Sequence, residues 1–139
     1  AFSLMENDEM NFQILSNASK ALKPKGKLIF TTLNGLFPLF HSVQEFMDSA
    51  TLEGNAKYSS NSFDLMTFRD RHTMNIEDDL GHTKELECDE RYYVPSEITW
   101  LLKTLDFQII DIFAAKLGAF SRQDRLTTED FEMLVIAEK

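Results

Sequence analysis

Leu22-Lys23-Pro24-Lys25-Gly26-Lys27-Leu28-Ile29-Phe30-Thr31-Thr32-Leu33-Asn34-Gly35 is the stretch on which the fold turns. Pro24-Lys25-Gly26 ends whatever precedes it, because proline lacks an N–H and glycine favours a helix stop. Lys27 to Leu33 is a β-branched and aromatic run of strand length, closed by the turn pair Asn34-Gly35. Upstream, Asn7 and Asp8 are good helix caps, and Asp8-Glu9 place negative charge at the helix start. Phe12, Ile14, Leu15, Ala18, Ala21 and Leu22 then recur at helical spacing. Helix, tight turn, buried strand is half of a βαβ crossover, so the chain reads as α/β.

Downstream, Pro38 suits a first helical turn, and Phe40, Val43, Phe46, Met47 and Ala50 mark one face of a second helix. Residues 51–62 are rich in Gly, Asn and Ser and read as a mobile loop. From Phe63 to Val94 the period becomes two. Met66, Phe68, Met74 and Ile76 share one phase, and Leu86, Cys88, Tyr92 and Val94 share one on the return. Asp78-Asp79-Leu80-Gly81-His82 turns the chain between them, predicting a long antiparallel hairpin with one apolar face. Its expected register sets Ile76 against Leu86 and Met74 against Cys88. Pro95-Ser96 opens a third helix, with Ser96 as cap and a stripe of Ile98, Leu101, Leu102 and Leu105 that ends near Asp106. Strands are expected at 107–115 and 131–137, joined by a polar loop.

Composition sets the class. With 139 residues, 43% of them hydrophobic and twelve of them Phe, the chain can bury a core. Its net charge of −9 disfavours nucleic acid, whose binding needs a concentrated basic face, and anionic membrane surfaces. One cysteine, Cys88, can form neither an internal disulfide nor a cysteine zinc cluster, and reads as a small half-buried strand residue. No apolar run approaches the ~20 residues that span a bilayer, and no signal peptide is apparent, so a cytoplasmic protein is the expectation. The opening Ala1-Phe2-Ser3-Leu4-Met5 is apolar and abrupt, and reads like a cut inside a folded domain.

The ordered set of a helix, LKPKGKLIFTTLN, a hairpin insert, RYYVPSEITWLLKTLDF, a strand and DFEMLVIAEK resembles the class I S-adenosylmethionine-dependent methyltransferases that act on small molecules. In that family a helix runs into an L-K-P-G-G stop and the fifth strand. A variable lid insert, an R-x-Y-x-x-x-E segment before a leucine-striped helix, and two closing antiparallel strands follow. The resemblance covers nearly the whole chain. It implies the C-terminal half of a Rossmann-like sheet, strands five to seven, with an inserted hairpin lid. Residues 1–36 would be the core helix and fifth strand, 37–95 the helix and hairpin lid, and 96–139 the last helix and strands.

Two departures stand out. Lys25 occupies the place of the family's first glycine, which is tolerable if that position is not left-handed. The Gly-rich turn and acidic residue that grip the cofactor are missing, since the glycines at 26, 35, 54, 81 and 118 are scattered. The resemblance therefore implies a fragment that does not bind S-adenosylmethionine alone. In the intact protein it places Phe2, Ser3 and Leu4 along the cofactor.

The resemblance also assigns Asn34, at the end of the fifth strand, and Arg71, Arg91 and Tyr93, at the mouth of the pocket, to a small-molecule acceptor. Each has a plainer reading: a stub, a turn-forming Asn-Gly, a salt bridge, a packed ring. His41, His72, His82 and Cys88 have no metal-ligand spacing, so no metal is expected; His72 on the lid is a candidate proton acceptor. The acidic run Glu85 to Glu90 reads as a solvated strand face. No catalytic constellation is apparent. The rival readings are a stand-alone binding or regulatory module derived from a methyltransferase, and a different enzyme with a Rossmann-like core. A severed sheet would leave one edge of Lys27 to Leu33 unpaired and predicts a two-fold homodimer.

Overall fold

The structure, a computed structural model, describes residues 2–50, 57–58, 61–116 and 118–139. Most of the loop expected at 51–62 lies outside the described residues. The elements run α1 (Asp8–Ala21), β1 (Lys27–Leu33), α2 (Phe37–Phe40), α3 (Val43–Ala50), β2 (Lys57–Tyr58), β3 (Ser62–Asp64), β4 (Arg69–Glu77), β5 (Thr83–Arg91), α4 (Pro95–Thr104), β6 (Gln108–Ala115) and β7 (Glu132–Glu138). They form a mixed α/β fold with two antiparallel sheets, one ordered β1-β7-β6 and one built on β4 with β2, β3 and β5.

β1 has the predicted bounds, and its register against β7 pairs Lys27 with Glu138 and Leu33 with Glu132. Its alternation decides its faces. Leu28 and Phe30 pack with Met133, Val135 and Ala137 of β7, Leu15 of α1, and Ile98 and Leu102 of α4. Two helices thus close one face of the sheet. At the carboxyl end of β1, Leu33 enters a second cluster with Phe37, Val43 and Tyr92, which joins the hairpin and the α2–α3 segment to the sheet. A parallel bridge between Asn34 and Tyr93 fastens the hairpin root to this corner.

Five expectations are corrected. The second helix is broken: His41 is extended, and Ser42 Oγ accepts from Glu45 N (3.2 Å) to start α3 afresh. Phe40 is therefore turned out and 67% exposed. Met66 and Phe68 lie in a turn between β3 and β4, not in the hairpin. Asp64 Oδ1 accepts from Met66 N (2.8 Å), the side-chain-to-backbone bond that lets Asp initiate turns.

The hairpin register is displaced by two residues. Met74 faces Leu86 and His72 faces Cys88, because Asp78 accepts from both Leu80 N and His82 N and fixes a loop closed by Glu77 and Thr83. A two-residue shift keeps each side chain on its face but changes its partner. The α4 cap is Val94, not Ser96: Pro95 takes the first helical position, and Glu97 Oε1 accepts from Val94 N (3.1 Å). Lys25, finally, is left-handed, with φ 65°.

Candidate functional site

At the carboxyl end of β1 the chain assembles most of the residues singled out from sequence. Phe2 is buried, stacked on Tyr93 with centroids 5.1 Å apart and set edge-on to Phe30. Ser3 is buried: its N–H donates to Asn11 Oδ1 (3.0 Å), and its carbonyl accepts from Arg91 N (2.8 Å). The opening segment is packed, not frayed. Leu4 is half exposed beside it. Tyr93 N donates to Leu33 O, and Gly35 N donates to Tyr93 O, so Asn34 and Tyr93 are neighbours. A Cβ on Gly35 would stand 3.0 Å from Val94 Cγ1, which is why this crossing of β1 and the hairpin root carries a glycine.

Asn34 is fully buried and its amide is committed. Nδ2 donates to Thr127 O (3.2 Å) and Asp130 O (2.8 Å), and Oδ1 accepts from Leu36 N (3.1 Å). Both N–H donors are used in tying the loop before β7 to the strand end. Arg91 and Tyr93 line a cavity of about 270 Å³ together with Asp8, Phe12, Glu97 and Trp100. Arg91 is buried. Its Nη2 donates to Glu97 Oε2 (2.6 Å), its Nε to Asp8 Oδ2 (3.4 Å), and its guanidinium lies 4.2 Å from the centroid of Tyr93. Asp8 also binds the buried Arg69 (2.8 Å), which reaches Asp89 (3.0 Å) and Met5 O (3.0 Å).

The carboxylates answer the desolvation of both arginines. Burial works against the charge on Arg91, but the hydrogen bond and charge of Glu97, with Asp8, hold its pKa above the ordinary value. Burial pushes the Tyr93 phenol up to about 12, against the pull of Arg91. Arg71 stands apart from this corner. It is exposed on the hairpin and paired with Asp89 (3.2 Å).

A second constellation, missed from sequence, lies on the other face of the hairpin. Asp70 and His72 share the inward phase of β4, and Glu90 of β5 is directly opposite Asp70. Asp70 is fully buried, His72 nearly so, and Glu90 half-buried. Asp70 Oδ2 lies 3.3 Å from His72 Nδ1, and Asp70 Oδ1 accepts from Asn61 Nδ2 (2.8 Å). Burial raises the pKa of both carboxyls. The run Glu85 to Glu90 is thus not one solvated face, because Glu90 turns inward. A signal was present: Asp70, His72 and Glu90 all fall within the two apolar phases, where a polar residue calls for an explanation.

Compared by sequence, the chain matches no protein-family model and no curated protein. Compared by structure, it is similar to the CcbJ methyltransferase from Streptomyces caelestis, with a TM-score of 0.65 at 11% identity. That match covers 98% of this chain and 56% of the other. It is also similar to an S-adenosylmethionine-dependent methyltransferase from Clostridium acetobutylicum ATCC 824, with a TM-score of 0.64 at 15% identity over 99% of this chain and 54% of the other. The chain spans about half the length of these structures, and over that half it has the fold of the S-adenosylmethionine-dependent methyltransferases.

Proposed function

We propose that this chain is the substrate-side half of an S-adenosylmethionine-dependent methyltransferase acting on a small-molecule acceptor. The observation that carries the reading is the fold likeness, which runs along nearly the whole chain but only about half of each methyltransferase. On this reading β1, β6 and β7 are strands five, six and seven of the complete sheet. Residues 1–36 and 96–139 belong to its core, and 37–95 form the lid.

The residues present do not make a cofactor site by themselves. Among the described residues no strand runs into a glycine-rich turn, and the carboxylates lining the cavity, Asp8 and Glu97, already bind arginines. S-adenosylmethionine is therefore a ligand of the whole protein, where it would supply the methyl group for an O, N or C nucleophile. The contribution of this half is orientation and exclusion of water, which such a transfer needs more than a strong acid or base. Arg91 and Tyr93, locked against each other and by Asp8 and Glu97, form a rigid polar rim for the acceptor. Phe2, Ser3 and Leu4 pass beside them toward the cofactor. Arg71, exposed at the lid surface and held there only by Asp89, is the adaptable member of the set. Asn34 acts by holding the loop at 127–130.

The test is methyl transfer by the longer polypeptide that carries a strand, a G-x-G turn and an acidic residue ahead of this segment. Binding of S-adenosylmethionine and transfer to small acceptors are expected. A complete protein that does not bind the cofactor overturns the reading in favour of a binding module.

Apart from that half, the chain would associate with itself. Among the described residues no strand pairs with the second edge of β1, and Ile29 is 60% exposed. An edge of Leu, Ile and Phe with little charge is a template for another strand, and a two-fold axis lets the same edge serve both copies.

A further inference from the structure

We propose that Asp70, His72 and Glu90 form a binding site for a first-row divalent metal ion such as Zn²⁺ or Mn²⁺, on the inner face of the β4–β5 hairpin. The inference does not rest on the methyltransferase reading. The strand register builds the site. Residues two apart on β4 point the same way, and Glu90 is the cross-strand partner of Asp70. One carboxylate oxygen from each acid and one imidazole nitrogen lie within 4.8 Å of one another. Donors about 2.0–2.2 Å from a shared tetrahedral ion are about 3.3–3.6 Å apart, so side-chain rotations of about an ångström close the shell.

Burial argues that something positive belongs there. Asp70 has no exposed surface, and among the described residues its Oδ2 meets the His72 ring nitrogen at 3.3 Å with no hydrogen-bond donor aligned on it. Two carboxyl groups facing one imidazole put an excess of acid in a buried place, and a buried uncompensated charge is costly. The arginines on either side in sequence do not supply the balance. Arg69 and Arg71 project from the opposite face of β4 and are spent on Asp8 and Asp89.

Tyr92 gives an independent indication. It follows Glu90 on the same inward phase and is fully buried, and among the described residues its hydroxyl has no hydrogen-bond partner. A buried phenol on the phase of Glu90, with its hydroxyl unmet, is suited to a water held by an ion.

The donor set decides the class of ion. One nitrogen and two carboxylate oxygens suit zinc, manganese or ferrous iron, whereas magnesium and calcium favour all-oxygen shells. Cys88 lies opposite His72 on the same face, but its sulfur is not among the converging atoms. Asn61 Nδ2, on Asp70 Oδ1, would fix that carboxylate from the outer shell. Three protein ligands leave a coordination position open, the arrangement of a site that takes up water or a ligand atom.

Calorimetric titration of the chelator-treated chain with Zn²⁺ tests this. One ion per chain is expected, with a rise in melting temperature that Mg²⁺ at the same concentration does not give. His72→Ala and Glu90→Gln should each weaken binding by about 100-fold, and Asn61→Ala, an outer-shell change, by about 10-fold. His82→Ala, His41→Ala and Cys88→Ser should leave it within about two-fold, since none belongs to the shell. Circular dichroism establishes that each variant is folded, and Glu90→Gln, at a half-buried position, is the substitution the fold best tolerates. Absence of Zn²⁺ binding by the parent chain overturns the proposal. So does a folded Glu90→Gln chain that binds as the parent does, or a loss in Cys88→Ser equal to that in His72→Ala.

Discussion

Replacing Lys25 by glycine should stabilise the protein, against the usual trend of point substitutions. Lys25 has φ 65° and an exposed side chain, so it bears the left-handed penalty without packing in return. Its backbone cannot relax freely. Lys25 N donates to Lys139 O (2.8 Å) and Lys139 N donates to Gly26 O (2.9 Å), so the turn is tied to the end of β7. The next position must stay glycine as well, because a Cβ on Gly26 would stand 2.8 Å from Lys23 O. Relief of the left-handed strain is worth about 1–2 kcal/mol. The freer unfolded chain that glycine brings takes back about 0.4–1 kcal/mol. A net gain of about 0.5–1 kcal/mol follows, or about 2–4 °C in melting temperature for a chain of this size. Urea unfolding should show a higher midpoint for Lys25→Gly at an unchanged m-value, and a lower one for Gly26→Ala. A Lys25→Gly midpoint equal to or below that of the parent, at equal m, would refute the assignment of strain to this turn.

Four other outcomes follow from the same structure. Arg91→Ala should cost about 2–3 kcal/mol, because it strands Glu97 and part of Asp8 and removes the cation from the Tyr93 ring; chemical denaturation measures it, and a loss below about 0.5 kcal/mol would mean the pairs are solvated. Calorimetry of this chain with S-adenosylmethionine should show no binding, since leftover contacts would have to exceed an association cost of about 4–15 kcal/mol; a micromolar dissociation constant contradicts this. The Asp78 carboxyl is held below its usual range chiefly by the N–H of His82 and also by that of Leu80. Its contribution to the hairpin tip is therefore present above the unfolded carboxylate pKa and lost as pH falls through the lower folded value. Protection of the His82 amide, as its exchange rate relative to the free-peptide rate at the same pH, should fall in that acid window for the parent and show no such step in Asp78→Asn. Sedimentation at micromolar concentration should give a dimer that Ile29→Lys weakens; a monomer whose β1 amides are protected from exchange would show that this chain covers its own edge.

What was legible in the sequence was whatever a short window settles. The Lys27–Leu33 strand needed only its β-branched run and the breakers on either side, and it has those bounds. α1 needed only its cap and spacing, and Asn7 does accept from Met10 N. The misreadings came where a local cue had a competitor close by. Ser96 is a good cap by composition, but Pro95 one residue earlier sets φ for the first turn and moves the cap to Val94. Phe40 fits the period of α3, yet Ser42 restarts the helix behind it and rotates the stripe away.

The hairpin shows how such an error reaches the chemistry. The alternation within 70–76 and 86–92 is legible in the sequence, and it gives the inward phase. The register is not legible there, because which turn residue binds which N–H is a choice that Asp78 and Asp79 both offer. On the mistaken register Glu90 faces His72 and Asp70 faces Tyr92; on the real one Glu90 faces Asp70, with His72 two residues along on the same side. Spacing along a chain reveals metal ligands on one helix or one loop, where ligands are neighbours in sequence. It cannot reveal a set whose third member comes from the facing strand. The trace such a set leaves is a polar residue on an apolar phase in both strands of one hairpin. Asp70, His72 and Glu90 leave that trace here, and the hydrogen bonds that Asp78 accepts at the tip decide whether they meet.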